Sequence, residues 1–158
     1  MRAMCPRSST QYPVASTKYP APSLPHSRKA HGELEEIRFL LEAASHGLEV
    51  SRPWGDSLPY DFLVGRRGRY YRVQVKSSRY KRHRSYQVIT THRRDARGYS
   101  EREMDFLAAY VVPTKTWYVI PSRALRRRRA IYVYPRQRPA VGNGLYEKYR
   151  EAWKLLRA

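Results

Sequence analysis

The chain has 158 residues, enough for one domain with a single core and too few for two. Its 32 Lys and Arg outweigh 13 Asp and Glu, and the formal charge of +19 points to a polyanionic partner, either nucleic acid or an anionic membrane surface. With 41% hydrophobic and 13% aromatic residues the composition is not that of a disordered chain, and the single cysteine, Cys5, excludes an internal disulfide.

In chain order, residues 1–30 carry Pro6, Pro13, Pro20, Pro22 and Pro25 among serines and basic residues, with no acidic residue. This predicts a disordered basic arm, although an organellar transit peptide or a wrongly chosen start codon would look the same. The folded domain is expected over 31–158. Leu34, Ile37, Leu41 and Ala44 recur at helical spacing, widened by Leu40, and predict an amphipathic helix over 33–46 that Gly47 terminates. Glu36 borders this stripe, Glu33 lies in the first turn, and Glu35 and Glu42 are expected in solvent. After residues 48–51 and a turn region at 53–56, strands are expected at 60–64 and 69–77, joined by a turn at 65–68. Further strands are expected at 85–91, 104–112, 116–121 and 130–134, with polar connections at 79–84 and 93–103. Tyr146, Tyr149, Trp153 and Leu156 then share one face of a closing helix. The expected class is α/β, a mixed β-sheet flanked by an N-terminal and a C-terminal helix.

No segment approaches the roughly 20 apolar residues that cross a bilayer. No apolar segment of the secretory kind follows Arg2. A cytoplasmic protein without membrane contact is therefore expected. Five histidines and one cysteine show no paired zinc spacing, so any metal would be held by oxygen.

The chemistry concentrates on the expected hairpin. With Val64 opposite Arg69, Asp61 lies opposite Arg72 and shares a face with Gln74 and Lys76. Gln74 is then a diagonal neighbour of Asp61 at roughly 7 to 8 Å, and Gln74 and Lys76 are about 7 Å apart along one strand. A carboxylate, an amide and an ammonium thus converge, with Glu36 available as a further oxygen donor. The same residues also read as an ordinary surface ion pair on a solvated sheet face.

These residues resemble the PD-(D/E)XK nuclease superfamily, and within it the small bacterial endonuclease-like domains related to group I intron homing endonucleases. The resemblance is carried by GELEE at 32–36, PWGDSLPYD at 53–61 and YRVQVKS at 71–77, with weaker agreement in MDFLAAY at 104–110, TWYVIP at 116–121 and YREAW at 149–153. It implies a restriction-endonuclease-like core with Glu36 as the acidic residue of the first helix and Asp61 as the central motif aspartate. Gln74 and Lys76 stand at the final E-x-K element, with Gln in place of the usual carboxylate and Tyr60 in place of the motif proline. The implied enzyme is a Mg²⁺-dependent (or Mn²⁺-dependent) endodeoxyribonuclease that works as a homo-oligomer, a dimer or tetramer, because one such site cuts one strand.

Mg²⁺ suits one or two carboxylates plus neutral oxygens, here Asp61, the Gln74 side chain, the Val75 carbonyl and Glu36. Lys76 either deprotonates or orients the attacking water, or neutralises charge on the phosphate; the sequence does not choose between these roles. Around the hairpin, Arg66, Arg67, Arg69, Arg72, Arg79, Lys81, Arg82, Arg84, Arg93, Arg94 and Arg97 form a one-sided basic field expected to bind the nucleic-acid backbone. The run at 126–129 is a separate phosphate-contact candidate or an exposed turn, and His83 and His92 are expected at the surface. Two alternatives stay open: a nucleic-acid-binding protein on the same fold without catalysis, and an RNA-directed nuclease.

Overall fold

The structure, a computed structural model, describes residues 27–55, 57–92, 96–136 and 144–157. The expected arm over 1–26, together with Arg93 and Arg94, lies outside them. Helix α1, Arg28–Ser45, starts where Ser27 in extended conformation accepts a hydrogen bond on Oγ from Ala30 N (3.1 Å), so the last residues assigned to the arm belong to the helix. The face it buries is not the expected stripe. Ile37 and Leu41 are 53% and 64% exposed, whereas Glu35, Phe39 and Ala43 are buried. Phe39 decides this orientation. Its ring packs on Phe62, Trp117 and Trp153 with centroids 5.3, 5.6 and 5.9 Å away, and the positions four residues on either side turn inward with it.

Strands follow as β1 (Glu49–Ser51), β2 (Phe62–Arg66), β3 (Arg69–Ser78), β4 (Lys81–Arg82), β5 (Ser85–Ile89), β6 (Phe106–Val111), β7 (Thr116–Pro121) and β8 (Ala130–Val133). Five of them make a mixed sheet in the order β1-β2-β3-β6-β7, in which only the β3 and β6 pair is parallel. The rest form a separate three-stranded sheet, β4-β5-β8, inserted in the crossover from β3 and completed after the short helix α2, Ser122–Leu125. Alternation along the large sheet creates two cores. Val73, Val75, Phe106, Ala108 and Val119 pack toward α1 with Phe39. Leu107, Ala109, Tyr118 and Ile120 pack toward the small sheet with Val88, Ile131 and Leu125. Burial on both faces explains why β6 and β7 read as unbroken apolar runs.

The β2–β3 hairpin has a two-residue turn, Arg67 and Gly68, with φ of 55° and 84°. Two consecutive positive φ values are those of a turn whose twist matches the strands, and Gly68 supplies the second without a Cβ penalty. The turn is thus shorter than expected: Gly65 is inside β2, opposite Tyr70, and Phe62 is opposite Val73.

The expected C-terminal helix is instead two 3₁₀ turns, Glu147–Tyr149 and Trp153–Leu156. Between them Arg150 bridges to Tyr118 of β7, Glu151 N donates to Trp117 O (2.9 Å), and the Glu151 carboxylate accepts from Trp117 N (2.7 Å). Pairing with the free edge of β7 thus replaces the helical ladder. Side chains at threefold spacing still bury Tyr146, Trp153 and Leu156. Glu147 fastens the segment by accepting from Tyr118 Oη (3.0 Å) and Tyr134 N (2.7 Å).

Candidate active site

β3 carries the site because it lies mid-sheet and alternates at its centre. Val73 and Val75 enter the α1 core, which turns Gln74 and Lys76 to the opposite face. Asp61, just before β2, donates its N–H to Val73 O (2.9 Å). Its carboxylate Oδ2 accepts from Val75 N at 2.7 Å and from Gln74 Nε2 at 2.6 Å. The two-residue turn places Asp61 beside Gln74 and not opposite Arg72, a shift of two residues. A shift of two preserves the face, so the expected convergence survives a wrong register.

Gln74 is buried, and its amide nitrogen also lies 3.3 Å from Val75 O. It therefore sits between the Asp61 carboxylate and a backbone carbonyl, where positive charge is favoured. A half-turn of the amide exchanges nitrogen for oxygen without changing its shape.

Glu36 reaches the same region from α1. Its Oε2 accepts from Arg52 Nη2 at 3.0 Å. Burial raises the Glu36 carboxyl above the ordinary range and the Asp61 charge adds to this, against Arg52 and Lys76. Burial also raises Asp61, although Val75 N–H, Lys76, Gln74 and Arg52 all favour its ionised form. Two carboxyls that hold protons more tightly than free ones, beside two cations, mark an electrostatically expensive cluster of the kind found at functional sites. Among the described residues no group of three or more His, Cys, Asp or Glu is gathered. The donor set at hand, two carboxylates with an amide and a carbonyl, fits a hard divalent cation that keeps part of its water shell.

Lys76 Nζ lies 5.5 Å from the centroid of the buried Tyr99 ring, a cation–π contact. The His92 ring packs tilted against Tyr99 with centroids 4.1 Å apart, and its Nε2 is 3.2 Å from Glu103 Oε1. His92 is thus tucked behind the site instead of at the surface. Burial opposes ionisation of Glu103, but Ser100 Oγ (2.6 Å), Ser100 N (2.8 Å), Arg97 and His92 outweigh it and hold the carboxyl at about 2. Arg52 carries no sequence signal of its own, since it comes from a loop 16 residues along the chain from Glu36.

The basic residues divide by partner. Arg72 is held by Asp105 through Nη2 (2.9 Å) and Nε (3.1 Å), and it also donates to the carbonyls of Glu101 and Arg102. Arg79 Nη2 donates to Glu35 Oε1 (2.9 Å), which accounts for the burial of a glutamate expected in solvent. Arg38 Nε lies 3.4 Å from the other Glu35 oxygen. Arg66, Arg67 and Arg69 instead border an open hollow of about 350 Å³ with Arg157 at the hairpin tip, roughly 17 Å along the strand from Asp61. Lys81, Arg82 and Arg84 are exposed around the β4–β5 turn.

Residues 26–156 match the family model described as PD-(D/E)XK endonuclease. The solved structure of a bacterial homing endonuclease, I-Ssp6803I, is similar at 31% sequence identity and a TM-score of 0.66, over 82% of this chain and 90% of that one. The search of curated proteins gives no match.

Proposed function

The chain belongs to the PD-(D/E)XK endonuclease family, and we propose that it is a Mg²⁺-dependent endodeoxyribonuclease whose site is Asp61, Gln74, Val75, Lys76 and Glu36. The observation that carries this reading is the anchoring of Asp61 by Val75 N and Gln74 beside a second carboxyl, Glu36, with both carboxyls raised. Asp61, Glu36, the Val75 carbonyl and the Gln74 amide oxygen would hold the ion. When bound, Mg²⁺ supplies charge neutralisation at the phosphate and a more acidic water. The protein's own contribution is positional. The Val75 N–H fixes the Asp61 carboxylate, Arg52 fixes Glu36, and the Tyr99 ring lies beside the Lys76 ammonium. In this reading that ammonium steadies the phosphate oxygens as negative charge grows there. A water oxygen adds to phosphorus and loses its proton to solvent, while the P–O bond to one sugar oxygen breaks and that oxygen takes a proton from solvent, leaving a phosphate end and a hydroxyl end.

Its substrate is a nucleic acid, and the exposed basic residues Arg66, Arg67, Arg69, Lys81, Arg82 and Arg84 support contact with its phosphate backbone. The apolar residues Ile37, Leu40 and Leu41 that α1 leaves exposed support a homo-oligomer, a dimer or tetramer, through which two sites reach both strands. Cleavage tests the proposal. The full chain should release ends from DNA with Mg²⁺ or Mn²⁺ and not with EDTA, and a matched RNA should be cut more slowly. The neutral Gln74 favours one competing reading, a binding module without catalysis. Salt-sensitive DNA binding that ignores EDTA, with no cleavage under either metal, would establish that reading instead.

A further inference from the structure

A second basic concavity lies behind the site. A pocket of about 200 Å³ is lined by Arg102, Arg123, Arg126 and Arg127, with Tyr99 in its wall and Glu101 as its one carboxylate. Among the described residues none of these four arginines forms an ion pair, in contrast to Arg72 and Arg79.

The backbone under the arginines is held in an unfavourable shape. Arg126 (φ 50°, ψ 38°) and Arg127 (φ 54°) are consecutive left-handed residues, a conformation that glycine adopts readily and arginine rarely. The surroundings impose it. A Cβ on Gly98 would stand 2.2 Å from Arg127 O, so the two loops meet backbone to backbone. Thr90 N donates to Arg129 O (2.9 Å), Thr90 Oγ1 donates to Arg128 O, and Arg128 N donates to Leu125 O (3.0 Å). On the opposite side, Arg72 donates to the carbonyls of Glu101 and Arg102 while Asp105 pins it. Both rims are therefore tied by backbone hydrogen bonds, and among the described residues the guanidinium groups of Arg102, Arg123, Arg126 and Arg127 form no ion pair. Strain of this kind persists where a site requires it.

The pocket is also joined to the site. Tyr99 lines it and carries Lys76 over its ring. A phosphate in the pocket would therefore share a wall with the lysine facing the phosphate to be cut.

We infer that this pocket is a second phosphate subsite, which grips the nucleic-acid backbone next to the scissile position through Arg102, Arg123, Arg126 and Arg127. The inference rests on the nuclease reading for what is bound and not for whether it is cut, so its test uses binding alone. The probe is a fluorescein-labelled DNA duplex titrated with the full chain carrying Asp61→Ala, at a series of KCl concentrations. Arg126→Gly and Arg127→Gly are then added singly. Glycine suits the left-handed backbone, so each variant should melt at or above the parent temperature. Each should nevertheless weaken binding and reduce the slope of log affinity against log salt by about 0.9, one phosphate contact. Arg102→Ala, on the other rim, should reduce the slope similarly. Unchanged affinity and slope in the glycine variants would overturn the subsite, and so would a fall in melting temperature, which would make the arginines structural. Reduced slopes in a protein whose Asp61 form cuts nothing would leave the subsite standing and remove the catalytic reading.

Discussion

At the scale of single residues, the site is legible because its logic is one of parity. Asp61, Gln74 and Lys76 stay on one face under any even shift in register, so the two-residue error in the hairpin left the constellation intact. Glu35 shows the limit: nothing local distinguishes it from Glu42, and its burial follows from Arg79, which lies beyond three strands in sequence. The raised carboxyls give a prediction with a definite sign. A carboxyl whose folded value lies above its unfolded value contributes its full stability below the unfolded value, here 4.5 for Glu36, and loses it as pH rises through the folded value. Glu36→Gln should therefore melt higher than the parent at pH 7, converge with it near pH 4, and cut about 10 to 100 times more slowly. A lower melting temperature at pH 7 would show that Glu36 is structural through Arg52. Gln74→Glu probes the same balance from the other side. A third carboxylate, placed where the Gln74 amide lies 2.6 Å from Asp61, should lower folding stability without metal by an amount on the order of 1–3 kcal/mol, and Mg²⁺ should raise the melting temperature more than in the parent. Equal metal responses in a thermal-shift titration would argue that position 74 does not face the ion.

At the scale of elements, period and length carried the strands, while tertiary competition set the rest. The range 116–121 is β7 as read, and every other expected strand is present with ends moved by a few residues. Helix α1 was expected correctly as a helix and turned the wrong way, because one aromatic, Phe39, with three aromatic neighbours outweighs four aliphatics spaced for a face. At the C-terminus, spacing by three suits a 3₁₀ turn as well as a helix, and the open edge of β7 decided between them. The stripe left exposed on α1 then has a consequence for assembly. Leu41→Glu, at a position 64% exposed, should change folding stability by no more than about 0.5 kcal/mol. It should shift the mass measured by sedimentation toward the monomer and reduce double-strand cuts relative to nicks. An unchanged mass would locate any oligomer interface elsewhere.

At the scale of the whole molecule, the +19 charge resolves into parts with different duties. Arg72 and Arg79 bind carboxylates within the fold, the hairpin tip and the β4–β5 turn offer open positive surface, and the pocket beside Tyr99 is lined by four arginines that form no ion pair among the described residues. Charge named the class of partner, and only the site beside Lys76 and Asp61 gives that partner a chemistry. No helix among the described residues is long and apolar enough to cross a membrane, so the basic surface is not the flank of a spanning helix. The measurement that tests the account most directly is sequencing of the ends released from a randomised duplex DNA library by the full chain, its Asp61→Ala form and its Lys76→Ala form, each with Mg²⁺ and with EDTA. The account predicts new ends only for the parent with Mg²⁺, and a loss of about 10²- to 10⁴-fold in both variants. Ends that persist in both variants, or none from the parent with Mg²⁺ or Mn²⁺, would contradict it.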